Sequence, residues 1–152
     1  MTKQITDPFY WEDEKWVFLR ADDAYSLFDP KTYGLNPTEP CTACWKGFVV
    51  QFKVREKQLY LDTLLVYCED NHYPPINGVE SVPSETMGMQ IYEHLNISLS
   101  YSGTIIVGIM LKPEYRTRAF TGPHSYTTTF ELTFVEGLLV KSIDTSGQYF
   151  GI

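Results

Sequence analysis

The stretch FVVQFKVREKQLYLDTLLVY, Phe48 to Tyr67, decides the fold class. Phe48, Val50, Phe52 and Val54 recur at every second position, the polar run Arg55-Glu56-Lys57-Gln58 interrupts them, and LYLDTLLVY follows. Period-two alternation puts one set of side chains on one face of a strand, and β-branched and aromatic residues suit a pleated, half-buried surface. The stretch reads as a hairpin.

Similar signals lie on both sides of it. FYWEDEKWVFL places aromatics around Glu12-Asp13-Glu14-Lys15, which predicts a first hairpin. ISLSY and TIIVGIML flank Ser102-Gly103 and predict another, and YTTTFELTFV, Glu136-Gly137 and LLVKSID predict a last one. Pro30, Gly34, Pro37 and Pro40 break regular structure into a loop with one helical turn between Asp22 and Phe28. A second irregular connection runs through Pro74, Pro75, Asn77-Gly78 and Pro83. Met87, Ile91 and Leu95 are four apart and predict a short helix near residues 86–95, although Gly88 weakens it by about 1 kcal/mol. The expected fold is mainly β, with antiparallel hairpins forming a sandwich or a partly closed barrel.

The 152 residues fit one β-rich domain, 1–152, and a chain of that size buries roughly 70% of its unfolded surface without disulfide support. With 12 basic and 19 acidic residues the net charge is −7, so nucleic acid and anionic membrane surfaces are disfavoured as partners. The start MTKQITDPFYWEDEKW has no basic segment followed by an apolar run, and no stretch approaches a membrane span. Three cysteines, an odd number, argue against a secreted disulfide framework. A cytoplasmic protein is expected, in which the sequon Asn96-Ile97-Ser98 has no consequence.

Three residue groups are candidates for chemistry. Cys41 and Cys44 form a C-x-x-C pair just before the first strand of the central hairpin, and Cys68 and His72 follow its second strand, so antiparallel pairing would bring the four together as a structural zinc set. The competing reading is core cysteine, in which case the protein has no cofactor. A thioredoxin-like role is disfavoured because the pair leads into a strand and not a helix. KPEYRTRAFTGPH, Lys112 to His124, is a basic loop in an acidic chain. There Arg116, Arg118 and His124 suit an anion, and Tyr115 and Phe120 suit stacking on it. Glu12, Asp13 and Glu14, set between Trp11 and Trp16, would suit a basic protein partner, with the aromatics as anchors and the charges steering encounter. Each group also has a plainer reading, as core or as a solvated turn. No G-x-S-x-G, H-E-x-x-H, G-x-G-x-x-G or P-loop is present, so binding is expected over catalysis and no catalytic residue is assigned.

Thr42–Phe48 (TACWKGF), Lys57–Leu64 (KQLYLDTL), Pro74–Val79 (PPINGV) and Tyr101–Gly108 (YSGTIIVG) together resemble a group of uncharacterised bacterial proteins. Their shared feature is a Trp-basic-Gly-aromatic step opening one hairpin and a Y-x-G-x-I-x-x-G segment later. The resemblance implies a bacterial cytoplasmic protein, makes Trp45-Lys46-Gly47 the shared element, and carries no activity. The reading that follows is a binding protein that recognises a basic partner through an acidic aromatic surface, as immunity or antitoxin proteins do. The alternatives are a β-barrel that takes a small anionic ligand beneath its basic loop, and a structural zinc protein. The sequence sets no oligomeric state.

Overall fold

The computed structural model describes residues 4–118 and 121–150. Its strands are β1 (Asp7–Trp11), β2 (Glu14–Ala21), β3 (Phe48–Arg55), β4 (Gln58–Val66), β5 (Val82–Pro83), β6 (Gln90–Tyr92), β7 (Ile97–Ser98), β8 (Gly103–Leu111), β9 (Tyr126–Val135) and β10 (Leu138–Asp144). One short helix, α1 (Ala24–Leu27), follows β2 and leads into a 3-10 turn over Pro30–Tyr33. Strand order β10-β9-β8-β2-β1-β3-β4, with β10 returning to β4, closes seven strands into a ring. The short strands β5, β6 and β7 extend the sheet beside β4.

Three of the expected hairpins form, and each turns on two residues: Glu12-Asp13, Glu56-Lys57 and Glu136-Gly137. Tight two-residue loops require positive φ at their centre, and all six residues adopt it. The buried side chains alternate as the pattern requires: Phe9 and Trp11, Val50 and Phe52, Ile105 and Val107, Leu132 and Phe134 all enter one core. In β4 the alternation changes phase, from Leu59 and Leu61 to Leu64 and Val66. The cause is a bulge, because Gln51 pairs with Thr63 while Phe52 pairs with Leu61, leaving Asp62 as the extra residue.

Two expectations are corrected. Residues 86–95 form no helix; Met87 and Gly88 take successive positive φ values in a turn closed by Met89 N–H to Thr86 O, and Gln90–Tyr92 then pairs with β4. The open edge of β4 supplies backbone partners and a buried slot for Tyr92, whose hydroxyl donates to the Pro74 carbonyl at 2.7 Å. A helix interrupted by glycine offers less. Nor do the segments around Ser102-Gly103 pair with each other: β7 joins β4, whereas β8 lies between β2 and β9. Tyr101 holds the crossing, since its buried hydroxyl donates to the Asp22 carbonyl and its carbonyl accepts the Gly137 amide at 2.8 Å.

The ring has two thin seams. Between β1 and β3, the one parallel pairing among the described residues, only Phe9↔Phe52 and Tyr10↔Lys53 are in register. Between β10 and β4 only Leu138↔Gln58 is, supported by the Leu59 amide to the Gly137 carbonyl at 2.9 Å and the Leu139 amide to the Lys57 carbonyl at 2.8 Å. Gly137 has φ +86°, and a Cβ there would lie 1.9 Å from the Leu99 carbonyl oxygen. Gly147 also has positive φ (+76°) but has open space around it.

Gly137→Ala is therefore expected to cost at least about 2 kcal/mol, a fall in Tm of roughly 4–8 °C. Gly147→Ala should cost about half that or less, because it bears the backbone strain alone. Equal losses in thermal melts of the two variants would show that the closure contact is unimportant.

Burial, reinforced by the nearby Asp22 and Asp23 carboxylates, pushes the Tyr101 phenol up from its ordinary 10.0 to about 12. The folded state therefore keeps a proton that the unfolded chain releases first, so this stabilisation is complete below pH 10 and is lost as pH rises towards 12. Urea midpoints of the natural protein should fall more steeply over that interval than those of Tyr101→Phe. Parallel curves would remove Tyr101 as the cause.

Candidate functional site

The β1–β3 seam builds the main cleft. Below Phe9 the two strands part, and the amide of Val50 donates at 2.9 Å to the Asp7 carboxylate in place of a backbone carbonyl. The other oxygen of that carboxylate forms an ion pair with Lys46. Lys46 lies over the Phe48 ring, 4.8 Å from its centroid. Between them Gly47, at φ +82°, lies against the preceding loop, where a Cβ would stand 2.5 Å from the Thr38 carbonyl oxygen.

The space so opened measures about 720 Å³. Phe18, Val50 and Phe52 line it from the strands, Leu27 and Phe28 from α1 and its end, and Asp29, Lys31 and Asn36 from the following loop. Its rings are packed against one another, with Phe18–Phe52 centroids 5.6 Å apart and Phe28–Phe48 5.2 Å apart. Asp29 accepts the Lys31 amide at 3.1 Å and so caps the 3-10 turn that forms one wall. Tyr25, 78% exposed, stands at the rim. A smaller groove, with Leu19 and Thr121, adjoins it through Asp7, Phe18 and Lys46.

The zinc set is not assembled. Along β4 the alternation sends Cys68 into the inner core, whereas Cys44 lies in a separate buried cluster with Val49 and Met89, against Leu65 and Tyr67. Those partners alternate with the inward residues, so the two cysteines lie on opposite faces of the sheet. Burial pushes both the Cys44 and the Cys68 thiols up. Cys41 packs its sulfur 2.8 Å from Met87 Sδ, and His72 is exposed. Among the described residues, no three His, Cys, Asp or Glu side chains gather as metal ligands.

The basic loop collects part of its expected set, but on itself. The Tyr115 ring meets His124 edge-on at 5.3 Å and carries Arg118 over its face at 5.2 Å. Arg116 is exposed, and Phe120 lies outside the described residues. Tyr115, Arg116, Arg118 and His124 do not line the main cleft or the adjoining groove; the loop reaches the groove through Thr121.

At the acidic turn, Glu12, Asp13 and Glu14 are exposed. Trp11 and Trp16 are not the surface anchors expected, being 8% and 7% exposed. Both pack on Phe130, with centroids 5.1 and 5.5 Å away, because they occupy inward positions on either side of the tight turn. Arg55 and Lys57 line the same groove as Glu12 and Asp13, which dilutes the negative field.

Comparison with protein-family models, with curated proteins and with solved structures returned no match. The cleft residues escaped the reading of the sequence because Asp7, Phe18, Phe28 and Lys46 come from four separate segments. The one local signal was the Trp45-Lys46-Gly47-Phe48 step, whose lysine and phenylalanine both reach the cleft.

Asp7→Ala would orphan the Val50 amide and release Lys46, and is expected to destabilise the protein by about 2 kcal/mol. Asp7→Asn retains an acceptor and should cost less than half as much. Equal urea midpoints for the two variants would show that the Asp7–Val50 bond does not hold the seam.

Proposed function

We propose that the protein binds a small, largely apolar molecule in the cleft at the β1–β3 seam. The observation that carries this reading is the lining: Phe18, Leu27, Phe28, Phe48, Val50 and Phe52 form an open apolar chamber, with a few polar groups gathered at one side. Ligand sites are typically concave spaces of roughly 300–1,000 Å³ with apolar walls and a small number of orienting polar groups. At about 720 Å³ the cleft lies within that range.

The charges at the rim support a narrower class of ligand. Lys31 and Lys46 face Asp7 and Asp29, so the charges balance, and Lys46 is already engaged with Asp7. A planar apolar body with one polar or anionic end therefore suits the site better than a highly charged molecule. Phenylalanine faces and edges supply the contact area, and the ammonium of Lys46 supplies the polar end. The reading differs from the anion site expected beneath Arg116, Arg118 and His124, since those side chains do not line the chamber.

Recognition of a basic protein through the acidic turn is the second reading. It keeps its exposed carboxylates at Glu12, Asp13 and Glu14 but lacks the aromatic anchors that supply most of an interface's energy.

Ala24 is exposed and lines the cleft, so Ala24→Trp fills the chamber without entering the core. Anilinonaphthalene sulfonate should bind the folded natural protein with enhanced fluorescence, and Ala24→Trp should weaken it roughly tenfold, about 1.4 kcal/mol. Neutralising Glu12, Asp13 and Glu14 should leave dye binding unchanged. Unchanged affinity in Ala24→Trp would rule the cleft out as the site.

A further inference from the structure

The outer face of β3 and β4 carries sulfur from two separate turns. One is the C-x-x-C turn, in which the Cys44 amide donates to the Cys41 carbonyl at 3.2 Å. The other is Met87-Gly88-Met89, closed by the Met89 amide to the Thr86 carbonyl at 2.9 Å. Cys41 Sγ lies 2.8 Å from Met87 Sδ, while Cys44 and Met89 share one buried cluster against which Met87 packs. Residues more than forty positions apart in the chain thus bring two thiols and two thioethers to one small region. Neither the cleft nor the closure of the ring uses them.

We propose that Cys41, Cys44 and Met87, with Met89 behind them, bind one Cu(I) ion. The donor set selects the metal. Thioethers are poor ligands for zinc, which prefers thiolate, imidazole and carboxylate in sets of four. Thiolate with thioether is the soft combination that favours Cu(I). The surroundings, Val49, Leu65 and Tyr67, are mostly apolar and keep harder, strongly hydrated ions out.

Access fits as well. Cys41 is only partly buried, and a notch of about 220 Å³ lined by Ile5, Trp45 and Lys46 opens onto Cys44. Loading exchanges two thiol protons for one Cu⁺, so the filled site carries one net negative charge. Burial opposes the Cys44 thiolate, as do the neighbouring Asp7 and Cys41, whereas the Gly47 amide and Lys46 favour it. Because protons leave as the ion enters, affinity should fall as pH is lowered. No change of oxidation state is involved.

The test is an anaerobic titration of the whole chain with Cu(I) supplied as its bicinchoninate complex, followed by the loss of the chelate's colour. The expected result is one Cu(I) withdrawn per chain, no withdrawal by Cys41→Ser, and affinity at least roughly tenfold lower in Met87→Leu, which keeps the side-chain volume. X-ray absorption of the loaded natural protein should show sulfur as the only first-shell scatterer. Failure to compete with the chelator, or unchanged affinity in Cys41→Ser, would reduce the sulfur cluster to packing. Unchanged affinity in Met87→Leu, or nitrogen and oxygen in the shell, would overturn the soft-donor site.

Discussion

The closure at Gly137 is the constraint on which the rest of the structure depends. Its amide and carbonyl bond to Tyr101 and Leu59, two segments far from it in sequence, while its missing side chain leaves room for the Leu99 carbonyl. An open sheet of these strands would expose Leu59, Tyr101 and Phe134, all of which are buried once the ring is shut. Apolar burial of that extent contributes about 25 cal/mol per Å² and is available only to the closed form. Few hydrogen bonds span this seam, so the stabilisation comes mainly from the side chains that closure hides.

The second seam has the opposite consequence. The parallel pairing of β1 with β3 lasts two residues, and a carboxylate takes over where the ladder stops. A side chain holds strands further apart than a direct backbone bond does, and that extra width admits the cleft. Trp11, Trp16 and Phe130 fill their own part of the interior, whereas Phe18, Phe28, Phe48 and Phe52 line space without filling it. Stability and binding therefore draw on the same phenylalanines: Phe52 packs on Phe9 in the core and also faces the chamber.

The two faces of the β3–β4 hairpin have separate roles. Inward residues build the core and the cleft wall, and outward residues carry Cys44, Met87 and Met89. Strand alternation enforces the separation, which is why Cys68 cannot join Cys41 and Cys44 although β3 and β4 are neighbours. Lys46 is the link between the two faces: it pairs with Asp7 at the cleft and acts on the Cys44 thiol behind it.

Period-two patterning and turn chemistry are local, and what depends on them was determined by the sequence alone: the mainly β class, the turns at Glu12-Asp13, Glu56-Lys57 and Glu136-Gly137, and the helical turn after Asp22. Where local signals competed with a distant partner, the partner won. Met87, Ile91 and Leu95 have helical spacing, but the edge of β4 drew Gln90–Tyr92 into the sheet. Trp11 and Trp16 flank charges like surface anchors, yet Phe130 of β9 covers them. The cleft is wholly a product of tertiary structure, because the splay that opens it depends on Asp7 reaching Val50 and Lys46, roughly forty residues away in the chain. Alternation specifies which face a side chain occupies; which strands meet, and where they part, is set by the packing of the whole ring.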